Sequence, residues 1–322
     1  MLKSLLVGVH LLLALCMPGF SQPAGYPDRS IKLVVPWPTG GPTDAIARLV
    51  AEKLSARLRQ PVLVDNRPGA NGIIGATAVA RAPADGYTLM LALPETNVLN
   101  PLIYKTVSYR KEDLQPVAFF GVRPFALVAS SRFKGKSVRD VIQAAKEHPN
   151  SISAASWGMG STAHLAIAMV EQSANVQLLH IPFPGTATAM TQLIGGQVDL
   201  MLLGLQPAAD QASAGKLSIL GVSSSKRLET HSDIPTLTEQ GLDVDVALWY
   251  GIAAPAKVPV DIQEFLNKEI NAVLADASVI KGLRHHGLIV EAQPRQAFAQ
   301  FLDGESAKWA AIVKARNIRI EN

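Results

Sequence analysis

Cysteine is nearly absent from this chain of 322 residues, where Cys16 stands alone. A single thiol excludes a disulfide framework and a thiolate metal site. The seven histidines are scattered, and the adjacent pair His285-His286 would project about 100° apart on a helix, so no bound metal is expected. Charge is also sparse. Only 17% of residues are charged, the net charge is +4, and no block of Lys or Arg forms a nucleic-acid face. The extended apolar run from about Leu5 to Met17 is short for a bilayer span. With 48% hydrophobic residues, the chain has material for one large or two ordinary cores, and nothing in it reads as disordered or fibrous.

The catalytic and cofactor motifs that a soluble chain of this size often carries are missing as well. There is no Walker A loop and no G-x-S-x-G elbow, since Gly221-Val-Ser-Ser-Ser lacks the closing glycine. Residues 158–163, Gly-Met-Gly-Ser-Thr-Ala, fit the dinucleotide fingerprint formally. That fingerprint also needs an acidic residue at the end of the next strand to hold a ribose, and the next strand, VQLLHIPF, has none. No cofactor is therefore expected. Ser161 and His164 share a helix face, but the serine is read more simply as a capping or ligand hydroxyl.

What is present begins with a leader. Lys3, the apolar run and small residues near Ser21 to Gly25 have the layout of a secretory signal peptide over residues 1–25; a buried N-terminal helix is the alternative. A lipid anchor at Cys16 fits less well, because Leu15 stands where such signals have a small residue. Removing Lys3 with the leader leaves a charge of +3, a mild excess that suits a small anion.

Beyond it, short apolar runs alternate with stretches of helical length. IKLVVP, PVLVDN, YTLMLAL, PFALVAS, SISAAS, LLHIPF, VDLMLLG, LSILGVSS and LWYGIAAP read as strands, and the alternation predicts an α/β fold. The first helix shows Ile46, Leu49, Val50 and Leu54 on one side and an Arg48–Glu52 pair on the other, with Asp44 or Thr43 as its cap. The chain closes on an amphipathic helix after Pro294.

Four strand-to-helix loops carry glycine: VPWPTGGPTDAIARL (34–48), DNRPGANGIIGATAVA (65–80), ASWGMGSTAHL (155–165) and IPFPGTATAM (181–190). Each leaves free amides at a helix start, where unpaired N–H groups and the helix dipole favour an anion. Loops at the carboxyl ends of strands line the crevice of open α/β sheets. The plainer reading is that α/β proteins need many tight turns of this kind.

From Tyr26 onward these segments, together with GGQVDLML, LGVSSSKR, DIPTLTEQGL and WYGIAAPAKVP in that order, resemble the substrate-binding receptors of tripartite tricarboxylate transporters, often called Bug proteins. The resemblance implies a two-lobed periplasmic binding protein with the ligand cleft between α/β lobes. One lobe would comprise residues 26–123 and 247–322 and the other 124–246, with crossings near FGVRPF and DVALWY. The implied function is capture of a small organic carboxylate and delivery to membrane transporter subunits, by a monomer in the periplasm that is not an enzyme. A sensor for a signalling system and a secreted enzyme acting on small acids are the competing readings. No acid–base pair supports the latter.

Carried onto this sequence, the family's site falls on Trp37, Thr39, Gly40, Gly41 and Asp44, on Thr96 and Asn97 after the third strand, and on Ser156, Gly160, Ser161, Thr162, Phe183 and Gly185. Asp44 would hold the loop, because a carboxylate does not attract an anion. His164 is equally a contact or a residue packed behind the loop. Two departures stand out: Thr39 replaces a proline of the family loop, and Phe183-Pro184-Gly185 replaces Tyr-Lys-Gly. With Trp37, Trp157 and Trp249 near the mapped cleft, the pocket leans toward a more apolar or aromatic acid, unless the tryptophans are core residues.

Overall fold

The computed structural model describes residue 23 and residues 25–321. The expected leader therefore lies outside the described residues apart from Pro23 and Gly25. In chain order the principal elements are β1 (Ile31–Val35), α1 (Pro42–Leu58), β2 (Val62–Asn66), α2 (Ile73–Ala80), β3 (Thr88–Ala92), a π-helical turn (Glu95–Leu99), α3 (Asn100–Ile103), β4 (Leu114–Ser130), α4 (Val138–Glu147), β5 (Ser153–Ser156), α5 (Thr162–Ala174), β6 (Leu179–Pro182), α6 (Thr186–Ile194), β7 (Leu200–Gly204), α7 (Leu205–Ser213), β8 (Leu217–Val222), β9 (Ala247–Pro255), α8 (Val260–Leu274), α9 (Ala277–His285), β10 (Ile289–Val290) and α10 (Arg295–Ala315). No helix of the described residues is long and apolar enough to cross a membrane.

All nine strand-like runs lie on strands, but PFALVAS is only the second half of β4. The first half, LQPVAFFGVR, contains two glycine or proline interruptions that mask its β character, and β10 is too short to leave a periodic signal. The strands follow the order β2-β1-β3-β9-β4-β7-β5-β6, with β8 and β10 also paired to β4. β1, β2 and β3 are mutually parallel, as are β5, β6 and β7, while β9 runs antiparallel to β3 and β4.

β4 belongs to both halves of this sheet. From Leu114 to Pro124 it pairs with β9, and from Phe125 it pairs with β7 and β8. Because it is antiparallel to β7, the carboxyl ends of β5–β7 turn back toward those of β1–β3. Its side chains alternate as a strand buried on both faces must: Phe125, Leu127 and Ala129 enter the large core beneath α4 and α5, whereas Ala126 and Val128 enter a second core under α6 and α7. Trp249 is buried in the large core against Phe298 and Phe301, and its Nε1 donates to Glu305, which also accepts from Trp309. Trp249 is thus removed from the cleft aromatics expected from the sequence.

In α1 the apolar stripe packs as expected, with Leu49 only partly buried. Arg48 does not pair with Glu52; it turns back to Asp44 (2.9 Å) and to Asn66 (3.0 Å). The fixed carboxylate of Asp44 lies one turn nearer the helix start, where negative charge is favoured.

Gly121 sits at an irregularity of β4 with φ +141°, and a Cβ there would collide with the carbonyl of Ile289 in β10. Both the backbone conformation and the close strand approach require glycine. Gly121→Ala should therefore destabilise the fold by about 2–4 kcal/mol. A fall in the chemical-denaturation midpoint checks this, and a wild-type midpoint would refute it.

Candidate ligand site

The crevice is framed by the loops that leave β1, β2 and β3 on one side and β5 and β6 on the other. After β1, Trp37 is partly buried and Thr39 and Gly40 are exposed. Gly40 takes φ +88° and carries the turn's unusual conformation. Gly41 is the N-cap of α1 with an ordinary φ of −81°, no side-chain cap, and Pro42 behind it. Neither Asp44 nor Thr43 is the N-cap. Asp44 is buried and holds the loop, accepting from Gly40 N–H (3.0 Å), Arg48 Nε (2.9 Å) and Asn66 Nδ2 (2.9 Å). Burial alone would raise its pKa, but the hydrogen bonds from Arg48, Gly40 and Asn66 outweigh burial and hold it below the usual carboxylate range.

With Asp44 serving the N–H of Gly40, no described residue accepts from the N–H of Gly41 or Thr43. The start of α1 thus presents unengaged amides beside an exposed threonine hydroxyl. Trp37 closes one flank, packing toward Gly72 of the second glycine loop.

After β3, Thr96 and Asn97 are buried within the π-helical turn. The Thr96 hydroxyl donates to Asn97 Oδ1 (2.9 Å) and accepts from Leu93 N–H (3.3 Å), so both side chains close their own turn. The backbone carbonyl of Thr96 accepts from Tyr109.

Across the crevice, the loop after β5 is internally bonded. Ser161 caps α5 by accepting from His164 N–H and donates to Gly158 O (2.7 Å). Gly160 has φ +73°, gives its N–H to His164 Nδ1 (3.1 Å), and packs so closely on Ile103 and Ile320 that a Cβ would lie 2.7 Å from each. His164 therefore stands behind the loop. It stacks on His180 at 4.2 Å, and His180 Nε2 is 2.7 Å from Ser156 Oγ, which accepts from Gly158 N–H. Thr162 gives both its N–H (3.0 Å) and its hydroxyl (2.7 Å) to one oxygen of Glu95. Phe183 and Gly185 are half-buried at the start of α6, and Trp157 packs on Phe125.

The structure thus joins the start of α5 to the π-helical turn through Glu95, and the loop before α5 to the second glycine loop through Asn71, whose Nδ2 donates to Gly160 O (3.2 Å). Among the described residues no hydrogen bond links the 36–41 loop to the loops of the second half. Glu95, Asn71 and His180 are the site-region residues that sequence reasoning missed. Asn71 lay inside a quoted glycine loop. Glu95 and His180 carried no local signal, because their partners are 67 and 24 residues away.

Burial, and secondarily the neighbouring His164, pushes the His180 pKa down to about 4 from 6.5, and burial lowers His164 too. Burial thus disfavours the protonated form of both rings in the folded loop. Since the folded pKa is depressed, the unfolded chain takes up protons below pH 6.5 that the native loop refuses, so stability is full above about 6.5 and declines as pH falls toward 4. The melting temperature should drop across that window, before carboxylates such as Asp44 titrate. His180→Gln should flatten the drop, and an unchanged pH profile in that variant would remove His180 as the cause.

Two parallel strand sets whose carboxyl ends face each other across a shared antiparallel strand define a two-lobed α/β solute-binding protein. The profile of the tripartite tricarboxylate transporter family receptor matches residues 46–318, and the chain belongs to that family. Rpa4515 of Rhodopseudomonas palustris, solved with adipate, superposes with a TM-score of 0.84 at 31% identity, covering 92% of this chain and 100% of that one. The periplasmic binding protein BugD gives 0.79 at 32% identity over 92% and 100% of the two chains. MatC of the same Rhodopseudomonas species, solved with malate, gives 0.78 at 29% identity over 89% and 100%. Proteins of this family are solute-binding receptors of transport systems and not enzymes, and this chain is a periplasmic receptor of that kind.

Proposed function

We propose that this receptor captures a small organic carboxylate between lobes formed by residues 26–123 with 247–322 and by residues 124–246, and delivers it to the membrane subunits of a tripartite tricarboxylate-type transporter. The observation that carries the reading is the start of α1: the N–H groups of Gly41 and Thr43 are unengaged beside exposed Thr39 and Gly40. Aligned amides at the positive end of a 17-residue helix suit a carboxylate. The adipate and malate held by Rpa4515 and MatC support the same ligand class.

Trp37, Thr39, Gly40 and Gly41 would hold the acid group, with Asp44 keeping the loop in shape. From the other lobe, Phe183 and Gly185 at the half-exposed start of α6 would meet the ligand, and Ser156, Gly160 and Ser161 would keep the facing loop rigid. Thr96, Asn97 and Thr162 are buried; Thr162 would contribute through its bonds to Glu95, and Thr96 and Asn97 by closing their own turn. Capture needs no acid–base chemistry from any of them.

A thermal-shift panel of organic acids should identify a stabilising ligand, and its methyl ester should stabilise much less, because a ligand bound only by the folded state raises the melting temperature by mass action. Gly41 then separates amide capture from mere turn formation. Its φ suits proline, and a Cβ there would meet only Pro38 O at 3.9 Å. Gly41→Ala should bind like wild type. Gly41→Pro, which removes one N–H to a charged oxygen, should weaken binding by about tenfold or more in calorimetry. Equal stabilisation by acid and ester, with unchanged affinity in Gly41→Pro, would overturn the reading.

Export is the second part of the proposal, resting on the leader layout of residues 1–25. N-terminal sequencing of fractionated protein should find the mature start between Ser21 and Tyr26. An intact Met1 on all of the protein, recovered from the cytoplasm, would refute it.

A further inference from the structure

The start of α5 is treated differently from those of α1 and α6, neither of which has a side-chain cap. At α1 the leading amides are unengaged, but at α5 the leading N–H and the Thr162 hydroxyl both point to Oε1 of Glu95, at 3.0 and 2.7 Å. Glu95 is 1% exposed and Thr162 is fully buried. The protein's own carboxylate therefore stands where an acid group would otherwise meet the positive end of α5. Its second oxygen, Oε2, is buried and has no hydrogen-bond partner among the described residues. A buried acceptor of this kind costs free energy until a donor reaches it.

We infer that Glu95 is a specificity-determining residue of the receptor: it closes the α5 position to a second acid group and offers Oε2 to a hydrogen-bond donor. The part of the ligand that reaches Glu95 then carries a hydroxyl or protonated amine, while a carboxylate is directed to α1. Like-charge repulsion at short range disfavours the diacid of the same length, while a charged acceptor rewards the donor. This inference rests on the carboxylate-receptor reading above.

Full-length mature protein, wild type and with Glu95→Gln or Glu95→Ala, is titrated by calorimetry with matched four- to six-carbon acids: the plain monoacid, the diacid, the terminal hydroxy acid and the terminal amino acid. Wild type should prefer a hydroxy or amino acid over the diacid of equal length by about tenfold or more. Glu95→Gln keeps an acceptor for Thr162 but places an N–H₂ beside the ligand, so the preference should shrink about tenfold or reverse. Glu95→Ala frees α5 and should also admit the diacid; either variant suffices if the other fails to fold. A wild type that prefers the diacid, or a preference unchanged in the folded variants, overturns the role of Glu95 while leaving carboxylate capture standing. Failure of every acid in the panel to bind wild type overturns the carboxylate reading, and the inference with it.

Discussion

The constraint on which the rest depends is the double membership of β4. One continuous strand of 17 residues pairs with β9 along its first part and with β7 and β8 along its second. Since backbone donors and acceptors of a buried strand must be paired almost without exception, the passage from one partner to the next fixes how the halves are joined. Antiparallel pairing to β7 then turns the carboxyl ends of β5–β7 toward β1–β3. The crevice is a consequence of strand direction.

Around that strand the two faces are filled differently. On one, α5 and α10 pack into a single large core that runs across the junction, with Glu305 binding the indoles of Trp249 and Trp309 and Arg316 paired with Glu171. On the other, α6 and α7 cover a smaller core of their own. The glycine at 160 allows Ile103 and Ile320 to approach the start of α5. Residues mapped to one functional site therefore divide into exposed or half-buried groups in the loops before α1 and α6 and buried groups at α5 and the π-helical turn, with Asp44 buried in α1.

Hydrogen-bond saturation makes that division chemical. A serine or threonine at a helix start is equally suited to binding a ligand and to capping its own helix. Ser161 caps, Thr96 closes its turn, and Thr162 serves Glu95. Asp44 shows the reverse: it takes the Gly40 N–H, while no described residue accepts from the N–H of Gly41 or Thr43.

The sequence by itself determined the α/β alternation, the stripe of α1, the glycine loops at strand ends and, through motifs such as DNRPGANGIIGATAVA, the family. These are local patterns, set by side-chain period and by the few residues that tolerate tight turns. Only the tertiary structure decided which helix starts stay open, that Arg48 turns to Asp44, that Trp249 is core, and that Glu95 reaches α5. The physical reason is that an amide or hydroxyl is free only if no acceptor reaches it. For Thr162 the acceptor, Glu95, lies 67 residues away in the chain, and Asn66, which helps to hold Asp44, lies 22 away, both brought near by a fold that no local spacing encodes.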